Sequence, residues 1–337
     1  MQSSSVTAPR VSPPAHDRIR DIAPSASLVA GLPRLTTCVP REYVHRAAIN
    51  EVFLTGWETD GADGFIVGAQ WPRSHALFAP RFGQQDPLLI AETIRQAGSL
   101  LAHAEYGVPL GHQFLMWALS FSAEPGGLTA EPVPTEPVLR ITCAPVVRGG
   151  QLAAMRYHAT VWRGDVCVAK GHAAYSCTSP AVYRRLRGGR SFPRHLALPA
   201  PVDPRVVGRT GVQHVVLGVP GPRHLPPGTR AFPHARRWLL RTDTAHPTLF
   251  DHPVDHVPGM VLLEAARQAA HAVSHPAPVL ITEASAAFTR YAEFDPPCWI
   301  EAEPGVPDTD GTTAVAVTGT QQGETVFTAT VRTTRAR

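Results

Sequence analysis

The chain has 337 residues, a length that suits two domains at ~100–200 residues each. Hydrophobic residues make up 44% of it and no apolar run approaches the ~18–20 residues of a membrane span, which argues against a helical membrane protein. The formal charge of +4 favours acidic partners without requiring nucleic acid, and the five cysteines (Cys38, Cys143, Cys167, Cys177, Cys298) include no Cys-x-x-Cys pair, which fits a reducing cytoplasm and no cysteine-rich metal site.

In chain order, residues 1–33 are rich in Ser, Pro and Ala and lack the basic start and apolar centre of a secretory signal; they are expected to be a disordered leader. Strands are predicted over residues 49–58 and 63–71. A helix follows, opened by Asp86-Pro87, with Ile90, Ile94, Ala97 and Leu101 on one side and Glu92, Arg95, Gln96, Ser99 and His103 on the other. Further strands are predicted at 112–123, 137–147, 151–163 and 166–176, the last two joined through Arg163-Gly164-Asp165. Residues 179–202 hold five arginines among Gly and Pro and read as a solvated linker, with an electrostatic patch for phosphates or an acidic protein as the alternative.

Beyond the linker the pattern returns. Strands are predicted at 211–218 and 230–242, a helix after Pro258-Gly259, and strands at 279–293, 297–303, 312–320 and 324–333. The helices share Glu-x-x-Arg-Gln-Ala: Glu92, Arg95 and Gln96 in the first, Glu264, Arg267 and Gln268 in the second. The offset is 172 residues from Glu92 to Glu264, from His103 to His275 and from Phe78 to Phe250. This predicts an α+β protein of two β-β-α-β-β-β-β modules, residues 41–178 and 203–334, each a long helix against a curved antiparallel sheet.

The repeated Glu-x-x-Arg-Gln set is the sharpest candidate for chemistry. A carboxylate in a partly buried groove can serve as general base, and a guanidinium beside it can clamp a phosphate or carboxylate. His252 and His256, in Asp251-His-Pro-Val-Asp-His256, are acid/base candidates beside a helix start at Gly259 whose backbone N–H groups can polarise a carbonyl. His75 is their weaker counterpart in the first module, and His103 and His275 are expected to be structural. No metal or cofactor is expected, and no Gly-x-Ser-x-Gly elbow or Gly-rich phosphate loop occurs.

Five segments carry a family resemblance: Val39–Ala47, Gly68–His75, Asp86–Gly98, Gly107–Trp117 and Asp251–Met260. Over residues 35–335 the chain resembles the A-factor biosynthesis proteins of actinomycetes, which initiate γ-butyrolactone and butenolide signalling molecules. The resemblance implies a tandem hotdog fold and transfer of a β-ketoacyl group from an acyl carrier protein to the hydroxyl of dihydroxyacetone phosphate, with no nucleic acid or membrane partner. It implies Glu92, Glu264 and Arg267 as acting residues; beside them, the reading of the residues themselves gives His252 and His256 as catalytic candidates and Arg95, Gln96, Gln268, Gly259 and His75 as substrate-binding candidates. Competing readings are a hotdog thioester hydrolase or dehydratase and a non-catalytic acyl-binding module.

Overall fold

A computed structural model describes residues 37–190, 192–193, 196–221 and 236–336; the expected leader lies outside the described residues. Helix α1 (Leu88–Ala104) starts where Asp86 Oδ1 accepts the Leu88 N–H at 2.9 Å, and Pro87 occupies a position whose N–H would have had no partner. All of α1 is buried except Arg95 and Ala104. Its polar face is therefore inside the protein, so each polar side chain there must find a partner.

The first six strands are β1 (Leu54–Thr59), β2 (Gly64–Ala69), β3 (Gln113–Ala123), β4 (Val138–Arg148), β5 (Gln151–Arg163) and β6 (Val166–Thr178). Helix α2 (Pro180–Arg187) follows, then β7 (Leu217–Gly218), β8 (Arg237–Leu240), helix α3 (Gly259–Ser274), β9 (Val279–Phe288), β10 (Trp299–Pro304), β11 (Thr313–Gln321) and β12 (Glu324–Arg335). They form one antiparallel sheet in the order β1-β2-β4-β5-β6-β3-β9-β12-β11-β10-β8-β7. Exchanging each of the first six strands for its counterpart six places on reverses this order onto itself. The two halves of the tandem hotdog are thus related by a pseudo-twofold at the β3–β9 seam, where Ala118 faces Ala287 and Ser120 faces Ser285.

Each helix lies against its own half of the sheet. Tyr157 on β5 and Tyr175 on β6 donate their hydroxyls to the Ile94 and Gly98 carbonyls of α1, at 2.7 and 2.8 Å. Gly98 permits this approach, because a Cβ there would collide with the Tyr157 hydroxyl. The final hairpin turns at Gln322 (φ 53°) and Gly323 (φ 79°), two successive left-handed residues that match the twist of the strands they join.

Several expected boundaries move. Residues 49–51 form a 3₁₀ turn ahead of β1, β7 has two residues in place of the predicted 211–218, and β9 ends at Phe288 so that 289–293 can border the site. The expected linker contains α2, capped by Ser179, which accepts the Val182 N–H, and closed by Gly188 at φ 60°. Its few apolar residues, spread over two turns, leave no periodicity for the sequence to reveal.

Candidate active site

The repeated helix motif builds two ion clusters with the same pattern of bonds. Glu92, fully buried, accepts from Arg95 Nε (2.9 Å) and Nη2 (2.7 Å), from Gln96 Nε2 (2.7 Å) and from Arg46 Nε (3.1 Å) and Nη2 (2.6 Å). Glu264, equally buried, accepts from Arg267 Nε (2.8 Å) and Nη2 (3.0 Å), from Gln268 Nε2 (2.5 Å) and from Arg209 Nε (2.8 Å) and Nη2 (2.6 Å). Burial alone would raise both carboxyl pKa values, but the paired arginines outweigh it and bring Glu92 down to about 2 and hold Glu264 well below the carboxylate range. Gln96 and Gln268 also clamp equivalent segments: Gln96 bonds the Phe53 N–H and Glu51 carbonyl, Gln268 the Val216 N–H and His214 carbonyl.

Arg46 and Arg209 escape a reading centred on the helices, because they lie far upstream. A signal exists, since each closes a Val-x-Arg tripeptide, Val44-His45-Arg46 and Val207-Gly208-Arg209, whose valines are both fully buried. Each arginine also crosses the pseudo-twofold. Arg46 Nη1 donates to the Thr248 carbonyl at 3.2 Å and Arg209 Nη1 to the Leu77 carbonyl at 2.6 Å, so each module holds the other's loop.

Those loops correct one alignment. His75 Nδ1 accepts the N–H groups of Leu77 and Phe78, and His246 Nδ1 accepts those of Thr248 and Leu249. The counterpart of His75 is therefore His246 and that of Phe78 is Leu249, one residue short of the helical offset. His75 Nε2 lies 3.3 Å from Glu51, whereas His246 Nε2 meets His214 Nδ1 at 2.9 Å. All four side chains are buried, and Thr248 Oγ1 donates to Glu51 across the two modules at 3.2 Å. His103 and His275 also diverge: His103 is buried against His45 and the Val108 carbonyl, and His275 is exposed beyond the end of α3.

The two clusters differ in what they face. A cavity of about 1080 Å³ opens over the first and is lined by Arg46, Arg95 and Ser99 on one side and Asp251, His252, His256, Gly259 and Met260 on the other. Phe114, Met116, Trp117, Leu119, Leu262 and Phe288 give it an apolar wall along the β3–β9 seam. Arg95 keeps 18% of its side chain exposed, while Arg267 keeps 5% and does not line this cavity. In the second cluster Arg209 also bonds Asp86 at 3.0 Å, so two arginines share two carboxylates, and the His271 ring fills the space beside Gly208. In the first cluster two arginines share one carboxylate by direct hydrogen bonds, and the Asp251 carboxylate on the cavity wall is the next acid near them.

Opposite the arginines stand two Asp–His pairs. Asp251 Oδ1 meets His252 Nδ1 at 2.5 Å, and its Oδ2 accepts the N–H groups of Ala47 and Ala48 from the first module at 2.9 and 3.3 Å. Asp251 is fully buried, whereas the His252 side chain is 42% exposed. Since Asp251 takes Nδ1, Nε2 is the nitrogen left for a substrate. The second pair, Asp255 and His256 (2.8 Å), is tied to α2: Tyr183 donates to Asp255 at 2.6 Å, and Arg187 bonds both Asp255 and Glu293 while its guanidinium lies 4.1 Å from the Tyr291 ring centre. Helix α3 begins between the pairs and the apolar wall. Pro258 O accepts from Val261 and Leu262, so the Gly259 and Met260 N–H groups precede the first intrahelical bonds, and both residues border the cavity.

A family model for the A-factor biosynthesis hotdog domain matches residues 30–179 and 192–336. A 2-oxo-3-(phosphooxy)propyl 3-oxoalkanoate synthase of Streptomyces virginiae is 49% identical over 295 residues, spanning 87% of this chain and 96% of its own. Enzymes of the same name from Streptomyces coelicolor and Streptomyces griseus are 42% and 44% identical, over 90% and 85% of this chain and 94% and 92% of theirs.

Proposed function

The chain belongs to the A-factor biosynthesis family of hotdog proteins, and on that premise we propose that it is an acyltransferase joining a 3-oxoalkanoyl group, delivered as a carrier-protein thioester, to the free hydroxyl of dihydroxyacetone phosphate. Curated relatives at up to 49% identity bear the name of this ester's synthase. The observation that carries the site assignment is the convergence, on one cavity, of an arginine pair from the first module and an Asp–His pair from the second. This reading places the reaction in the cytoplasm.

Arg46 and Arg95 receive the acceptor's phosphate. They are oriented by Glu92, and Arg95 Nη1 makes none of the bonds to that carboxylate. His252, oriented by Asp251, takes the hydroxyl proton on Nε2 as the oxygen attacks the thioester carbonyl. The Gly259 and Met260 N–H groups receive the developing oxyanion at the positive end of α3. As the intermediate collapses the C–S bond breaks, and the imidazolium returns its proton to the departing sulfur; ester and free thiol are the products. The acyl chain lies along the apolar seam.

In this account Glu92 and Glu264 orient arginines. A carboxylate accepting five charge-assisted or amide hydrogen bonds offers poor proton affinity to an attacking hydroxyl. The Glu264–Arg267 cluster is the closed counterpart of the live site and braces the His75 loop through Arg209. Direct transfer is favoured over a cysteine acyl-enzyme because no cysteine is among the residues that line the cavity, and burial pushes the thiols of Cys143, Cys177 and Cys298 up to about 12. The test is mass spectrometry of products from purified protein with a β-ketoacyl thioester and dihydroxyacetone phosphate. The phosphorylated ester is expected, and His252→Ala is expected to slow its formation ~10²–10⁴-fold; release of free β-keto acid alone would identify a hydrolase.

A further inference from the structure

We propose that the outward face of α2, with the arginines beside it, is the docking surface for the acidic acyl-carrier protein that presents the thioester. The proposal rests on the acyl-transfer reading above, which requires a thioester donor at this cavity. Helix α2 reads Pro-Ala-Val-Tyr-Arg-Arg-Leu-Arg and contains no acid. At 100° per residue Tyr183 and Arg187 point one way, toward Asp255 and Tyr291, while Val182, Arg185 and Leu186 point the other. Val182 and Leu186 each remain 45% exposed one turn apart, and Arg184 and Arg185 are exposed beside them.

The place of this face gives it meaning. Leu186, Arg190 and Arg290 border the cavity as well as the surface, and the side chains of Arg190 and Arg290 are 56% and 53% exposed. The acids nearby are already engaged: Asp255 by Arg187, Glu293 by Arg187 and Arg190, and Glu324 by Arg290. What is presented outward is a pair of aliphatic side chains beside the exposed guanidinium groups of Arg184 and Arg185, on a helix that borders the mouth of the site. That combination is complementary to an acidic helix with an apolar ridge, and a partner seated there stands where its thioester arm can reach the oxyanion pocket. Arg187, inward on the same helix, ties the docking surface to His256.

The experiment compares two donors of one acyl group, carrier protein and N-acetylcysteamine, with the wild type and the Arg184→Glu/Arg185→Glu variant. The expected result is at least about a tenfold rise in KM for the carrier-bound donor, with its salt dependence weakened and the small thioester unaffected. An unchanged KM for the carrier-bound donor, or equal losses with both, overturns the docking site. Fluorescence anisotropy of labelled carrier protein, with a short DNA duplex in parallel, judges docking without turnover. Carrier binding that survives the charge reversal, or duplex binding tighter than carrier binding and lost in the variant, overturns the proposal. Should the wild type transfer from neither donor, the acyl-transfer reading falls, and anisotropy still decides for or against the surface.

Discussion

Glu264 and His252 separate two kinds of importance at the level of single residues. Glu264 has no exposure and compensates Arg209 and Arg267, so neutralising it leaves buried guanidinium charge without its counter-ion. Breaking a buried pair from one side costs about 3–5 kcal/mol. Glu264→Gln is therefore expected to lose activity together with a large drop in melting temperature, whereas His252→Ala is expected to lose activity at an unchanged one. Differential scanning fluorimetry beside the activity assay checks this; a Glu264→Gln protein that melts like the wild type yet is inactive would return the general-base role to the glutamate.

Buried histidines set the response to acid. Burial, reinforced by His214, pushes His246 down to about 4, and burial with the charge of Arg95 pushes His45 down to about 3. A histidine whose folded pKa is depressed is neutral in the folded protein and protonated in the unfolded chain below ~6.5, so its contribution is complete above that pH and is lost as pH falls through the folded value. Stability is expected to hold above pH ~6.5 and to decline toward pH 4, with the Glu92 carboxylate adding a further loss between about 4.5 and 2. Denaturant unfolding across this range measures it. A flat profile from pH 7 to 4 would contradict the buried neutral histidines.

Among the elements, α2 is the one whose role is least evident from its sequence. Arg187 spans two carboxylates and an aromatic face, which needs a planar five-donor fork that lysine does not have. Both Arg187→Ala and Arg187→Lys are expected to reduce kcat several-fold and to speed hydrogen exchange over residues 251–258, because that loop is held from outside by α2. Full rescue by lysine would show that charge alone suffices. The helix motifs were legible because polar residues repeat at short spacing within a periodic segment, Glu92-x-x-Arg95-Gln96 and its copy. Arg46 and Arg209 were less so, since their partners are far along the chain. His246 was hidden because the loop alignment slips by one residue relative to the helices.

At the scale of the molecule, duplication followed by divergence explains both the symmetry and the difference between the two ion clusters, of which the first borders the large cavity. Strand order, helix placement and the crossing contacts of Arg46 and Arg209 are shared. The position of Asp86 ahead of α1 is taken by Pro258 ahead of α3, so Arg209 gains a second carboxylate from the other module and Arg46 does not. The tandem hotdog was readable from repeat and alternation. Which copy stays open was not, because it depends on a few side chains that meet only across the module interface. In the proposed mechanism Arg95, beside the open cavity, holds the acceptor's phosphate, and KM of Arg95→Ala for dihydroxyacetone phosphate against unphosphorylated dihydroxyacetone measures that role. Loss of a charge-assisted contact worth about 1.5–3 kcal/mol predicts a rise of about 10- to 100-fold for the phosphorylated acceptor and little change for the other. Equal effects on both acceptors, or a selective loss with Arg267→Ala in its place, would contradict it.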